Sequence, residues 1–197
     1  RKVAPNYFYE FLKGKPGFWA QNFPNKGKYK DNRIILINFR NKTDNKIITI
    51  LLKFTCHPVT DPLNCLGSDY PGYLKKYLSN YFNEKPMIFF LQGFAGDVRP
   101  NLLHKPKTIK DYIIKLILGD KFRKSTKDDS KKFAKNIIEQ LSNLLNRNYK
   151  KIFINHIKSS NKELEIILEN NTKINKKLNI TIWNFEKFII CFLSGEI

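Results

Sequence analysis

Apolar and β-branched residues dominate residues 33–39 and 47–56, and the polar stretch Asn41-Lys42-Thr43-Asp44-Asn45 lies between them, so the two segments predict a β-hairpin. The period then changes. Tyr73, Leu74, Tyr77, Leu78, Tyr81 and Phe82 recur at helical spacing, and Asp69 with Pro71 marks the start of that helix, with Ser68 and Asp69 as its N-cap. Residues 87–91 form another apolar run of strand length. Strand, helix and strand in this order predict a crossover between parallel neighbours. Residues 102–126 are irregular except for a short helix over 109–118. Ser125 and Asp128 then have capping-box spacing, and Phe133, Ile137, Leu141, Leu144 and Leu145 share one face of an amphipathic helix suited to covering a sheet. Residues 151–157, 164–168, 178–183 and 188–193 are strand-like. Residues 1–30, punctuated by Pro5, Gly14, Pro16, Gly17, Pro24 and Gly27, predict an irregular arm anchored by Tyr7, Phe8, Phe11, Phe18 and Trp19. The expected fold class is α/β, a mixed sheet with parallel members and covering helices, over residues 31–197.

The polar residues that end two of these strands carry the candidate chemistry. Residues 47–56 run into His57-Pro58, and Pro58 biases His57 toward an extended backbone from which its ring can project. The second apolar run opens into Gln92-Gly93-Phe94-Ala95-Gly96-Asp97-Val98-Arg99-Pro100-Asn101. Open α/β sheets bind ligands beyond the carboxyl ends of their strands, so both exits are expected on one rim. Each residue also has a plain structural reading: His57 as a hydrogen-bonded strand end, Asp97 as a turn former between Gly96 and Val98, and Arg99 as a surface cation. His104 and His156 belong to no motif.

Four segments in order resemble the N-terminal catalytic domain of the neutral/alkaline non-lysosomal ceramidase family. They are Phe54-Thr55-Cys56-His57-Pro58, Gly67-Ser68-Asp69-Tyr70-Pro71-Gly72-Tyr73, Gly96-Asp97-Val98-Arg99-Pro100-Asn101 and Phe192-Leu193-Ser194-Gly195-Glu196. The resemblance implies a hydrolase of the ceramide amide bond built on Zn²⁺ with two His, one Glu and one Tyr ligand. It assigns His57 and Glu196 as metal ligands and Asp97 as a supporting group near the metal. The family's other His and its Tyr would fall outside residues 1–197, so the chain is expected to be a fragment with half the ligand set. Two residues depart from the family pattern. Ser194 stands where the family has Pro, a mild change. Arg99 stands where the family has a Ser proposed as essential; a guanidinium stays protonated and cannot act as a nucleophile, but it can hold a carboxylate or stabilise an oxyanion. The resemblance thus implies a lipid or small-molecule amide substrate, with acidic amides favoured by Arg99, and a secreted or extracytoplasmic setting; the residues themselves assign no compartment.

Composition narrows the alternatives. A chain of 197 residues, 42% hydrophobic and 14% aromatic, can bury one sizeable core. No apolar run is long enough to span a bilayer, and the first residues lack the apolar core of a signal peptide. Cys56, Cys65 and Cys191 are odd in number and unpaired in spacing, which favours neither a disulfide framework nor a Cys-rich zinc site. The net charge of +19 is spread over every segment with no concentrated tract. It makes an inactive relative that binds anions or an anionic membrane surface the second reading. Nucleic-acid binding is the weakest, because no aromatic stacking platform or reading helix accompanies the charge.

Overall fold

The structure is a computed structural model that describes residues 2–5, 20–25, 29–62, 66–96, 98–126, 128–147, 150–167 and 173–193. These belong to two compact units, Arg1–Asn146 and Arg147–Ile197. In the first unit, β1 (Lys2–Pro5) and β2 (Ala20–Phe23) form an antiparallel ladder that pairs Lys2 with Phe23 and Pro5 with Ala20. Within the span expected as an irregular arm, these two short segments are paired strands. The paired segments are four residues each, too short for alternation to register in the sequence. The aromatic residues proposed to anchor that arm, Tyr7, Phe8, Phe11, Phe18 and Trp19, lie outside the described residues.

The sheet that matters for the site has the order β3 (Ile35–Arg40), β4 (Ile47–Phe54), β5 (Met87–Gln92). β3 and β4 form the antiparallel hairpin, while β4 and β5 run parallel in continuous register from Thr49↔Met87 to Phe54↔Gln92. The protein is therefore α/β, with a mixed sheet and covering helices. Helix α1 (Asp69–Tyr81) makes the β4-to-β5 crossover, α2 (Ile109–Leu118) follows, and α3 (Asp129–Leu145) packs beside α1. One sheet face is closed by these two helices. Ile50 and Leu52 of β4, with Ile88 of β5, join Tyr70, Leu74 and Leu78 of α1 and Ile137 and Leu141 of α3 in a single core. On the other face Ile35, Met87 and Phe89 are more than a third exposed.

The buried face of α1 is Tyr70, Leu74 and Leu78, whereas Tyr73 and Tyr81 of the predicted stripe reach solvent. Tyrosine tolerates that position because its ring is apolar and its tip polar. Neither predicted cap forms as expected. Ser68 makes no side-chain cap bond to α1, and Asp128 makes none to α3. At α3 the role moves one residue on: Asp129 accepts from Thr126 N at 2.6 Å and Thr126 Oγ1 at 3.0 Å, while Ser125 Oγ donates to the Asp61 carbonyl at 2.8 Å.

The second unit holds an antiparallel sheet of β6 (Lys158–Ile167), β7 (Lys173–Asn184) and β8 (Ile189–Leu193) in that order. Residues 151–157, expected as a strand, precede β6 as exposed coil. The ladder begins instead at polar Lys158, which pairs with Asn184, because register with β7 decides the start and local hydropathy does not.

Candidate functional site

The parallel β4–β5 pair brings the two strand exits together. His57 N donates to the Val98 carbonyl at 2.9 Å, and Gly93 N donates to the Phe54 carbonyl at 3.2 Å. The His57 ring lies beside Gln92, with Nδ1 3.5 Å from Nε2 of the amide. Gly93 is required by this closeness: a Cβ there would overlap Thr55 Oγ1 and crowd the Lys53 side chain. The common rim read from the sequence is present.

Behind the rim, the aromatic side chains fix its backbone. Tyr70 is fully buried and its hydroxyl donates to the Cys56 carbonyl at 2.6 Å, immediately before His57. Its ring packs edge-on against Phe54, Phe90 and Phe133 at centroid distances of 6.2, 5.8 and 5.0 Å. Burial pushes the Tyr70 hydroxyl pKa up, helped by Cys56 and Asp69, so it remains a donor. Burial likewise pushes the Cys56 thiol up to about 12, with the Asp69 charge adding to the rise and Arg99 opposing it. Cys56 is thus a protonated core residue at neutral pH.

A polar knot holds the loop that leaves His57. The Asp69 carboxylate accepts from Thr60 N at 2.7 Å, Asp61 N at 2.8 Å, Tyr70 N at 2.6 Å and the Thr60 hydroxyl. Asp61 in turn accepts from Ser130 Oγ and from Asp69 N, and Thr60 Oγ1 lies 2.9 Å from Ser130 Oγ. Both acids are occupied by loop backbone and hydroxyls. Asp69, in the segment that carries part of the family resemblance, therefore ties the loop to the starts of α1 and α3.

Arg99 continues the rim. Its guanidinium carbon sits 4.4 Å from the Phe122 ring centroid, a cation–π geometry that preorients the charge. Phe122 is held by a bridge to Leu103, and His104 N to Lys121 O and Arg123 N to Leu102 O, each 2.9 Å, fasten the two segments. Arg123 then grips Asp129 with two 2.7 Å bonds. This bidentate pairing, reinforced by Thr126 N–H, holds the buried Asp129 carboxyl well below the usual carboxylate range against the opposing effect of burial. A carboxyl so lowered stabilises the fold above its unfolded pKa of about 4 and loses that contribution as pH falls through its folded value. Asp129→Asn is expected to lose about 2 kcal/mol at neutral pH and to flatten the acid limb of the stability profile below about pH 4, measured by urea unfolding from about pH 7 down to about pH 1.5. An acid limb identical to wild type would show that another carboxyl governs it.

No protein-family model, curated protein or solved structure matches this chain. The likeness to ceramidases rests on the residues of the four segments alone. Of the residues it assigns, His57 and Arg99 stand along the β4–β5 rim, while Asp97 and Glu196 lie outside the described residues.

The fit to zinc can be tested at His57. Gln92 meets the ring at Nδ1, and a histidine that binds metal through one ring nitrogen is usually held by a neighbouring residue at the other. Among the described residues there is no group of three or more His, Cys, Asp and Glu able to hold a metal. Sequence reasoning passed over Gln92, although it is the first polar residue after the apolar run of β5 and sits in register with Phe54. Phe122 gave no signal, since an aromatic in an irregular stretch has no periodicity to mark it.

Proposed function

We propose that the chain is a zinc-dependent amide hydrolase resembling neutral ceramidase, with His57 as a ligand, Asp97 supporting it and Arg99 binding substrate. The observation that carries this reading is the junction of the two exits, where His57 N bonds to Val98 O and the His57 ring meets Gln92. Zinc, when bound, supplies Lewis-acid polarisation of a carbonyl and an acidified water. What the chain's own residues contribute is orientation. Gln92 lies against the His57 ring, Tyr70 fixes the backbone before it, and the Asp69 knot fixes the backbone after it. Arg99, stacked on Phe122, offers a planar cation to a substrate carboxylate or to the oxygen that gains charge during amide attack. This favours an amide with an acidic group over a neutral ceramide.

Elemental analysis of protein with its natural termini, beside His57→Ala, tests the reading. One zinc per chain, lost in the variant together with chelator-sensitive hydrolysis of an N-acyl amino acid, is the expected result. Absence of stoichiometric metal in the parent protein, or metal and activity unchanged in His57→Ala, would overturn it.

A further inference from the structure

Helix α2 is amphipathic in the wrong sense for a core element. Ile109, Tyr112, Ile113, Leu116 and Ile117 recur at the three-and-four spacing of one helical face, and all are exposed, from 52% at Ile113 to 86% at Leu116. They span an arc of about 140° around the axis. No named strand or helix packs against α2 among the described residues. The helix is nevertheless well formed by local means. Thr108 and Asp111 make a reciprocal capping box, Asp111 also accepts from Lys107 N, and Gly119 ends the helix at φ 77°. Asp111 is thereby committed to the cap.

The charge around this face selects its partner. Helical spacing puts Lys110 on one border of the apolar arc and Lys115 on the other. Over residues 105–124 basic side chains outnumber acidic ones seven to two. Of those two acids, Asp111 serves the cap and Asp120 pairs with Lys115 at 3.1 Å. Lysines can lay their stems along an apolar face while their ammonium groups reach out to phosphate level. A second copy of the chain would have to bring two such basic borders together on a protein of net charge +19, which like-charge repulsion opposes. No helix among the described residues is long and apolar enough to cross a membrane.

We propose that α2 is an interfacial anchor that lies in the surface of an anionic bilayer, with Ile109, Tyr112, Ile113, Leu116 and Ile117 among the acyl chains and Lys110 at the headgroups. The proposal stands apart from the zinc reading, since none of these residues belongs to the β4–β5 rim. Its test is co-sedimentation with phosphatidylcholine vesicles, with and without phosphatidylserine, for the parent protein and an Ile113→Glu, Leu116→Glu double variant. Both substituted positions are exposed, and circular dichroism checks that the fold is kept.

The parent protein should bind the phosphatidylserine vesicles, more weakly at high salt, and the double variant should bind about tenfold less or worse. The emission of Tyr112→Trp, taken as a difference from the parent spectrum, should shift to the blue on binding. Failure of the parent to bind, equal binding by the double variant, or an unshifted Tyr112→Trp emission on bound protein would overturn the proposal. So would a parent dimer that the double variant converts to monomer, because the face would then be closed by a second copy.

Discussion

Tyr70→Ala is expected to remove about 3–5 kcal/mol from the stability of the N-terminal unit, the scale measured for deleting a large buried aromatic. The residue is fully buried, and its ring is the common neighbour of Phe54, Phe90 and Phe133, which come from both parallel strands and from α3. Removing it opens a cavity where sheet and helices meet, and the surrounding rings have no flexible side chain to fill it. Tyr70→Phe separates packing from hydrogen bonding. It keeps the ring contacts and loses only the donor to the Cys56 carbonyl, for an expected cost of about 1–2 kcal/mol. Urea midpoints of the three proteins should fall in the order parent, Phe, Ala. If the Phe variant proves as unstable as the Ala variant, the hydroxyl and not the ring is the main contribution.

Asp69→Ala is the second large effect, about 3 kcal/mol or more, and it has a different origin. The Asp69 carboxylate accepts from three backbone N–H groups and the Thr60 hydroxyl, and truncation leaves these buried donors without their acceptor. Its backbone also lies at φ 51°, in the left-handed region where alanine is strained and glycine is not. Asp69→Gly therefore relieves strain while removing the same acceptor. Asp69→Asn keeps the shape but turns one end of the group into a donor. Thermal unfolding should rank the parent above Asn and both truncations below Asn. A Gly variant as stable as the parent would mean that strain, not hydrogen bonding, controls this position.

Much of the architecture was legible because it rests on period. The 47–56 run, the helix after Asp69 and the 87–91 run predicted a parallel crossover, and β4, α1 and β5 follow it. The predicted helix over 109–118 coincides with α2, and the long amphipathic helix coincides with α3 to within a few residues. What the sequence concealed depends on partners distant along the chain. The β1–β2 ladder joins segments too short to show alternation, and β6 starts on Lys158 because Asn184 pairs with it. Ser68 and Asp128 look like caps by residue type yet make no side-chain cap bond; Asp69, also read as a cap, bonds to Thr60 and Asp61, and the α3 start is organised by Asp129, bonded to Arg123. Those pairings are matters of tertiary contact. The rim itself was legible from His57-Pro58 and the loop after Gln92, whereas the partners of its side chains, Gln92, Tyr70 and Phe122, were not.

The parallel pairing of β4 with β5 also sets how the rim can be lost. Neighbouring antiparallel strands zip up from a turn, but these two meet only after α1 has closed the chain between them. The His57–Val98 bond and the Gln92 contact span that closure, and the Tyr70 tether joins the start of α1 to the same strand exit. Fraying of one strand end cannot release them singly. The rim opens as one cooperative unit with α1, so its geometry is as durable as the crossover and no more durable than that helix.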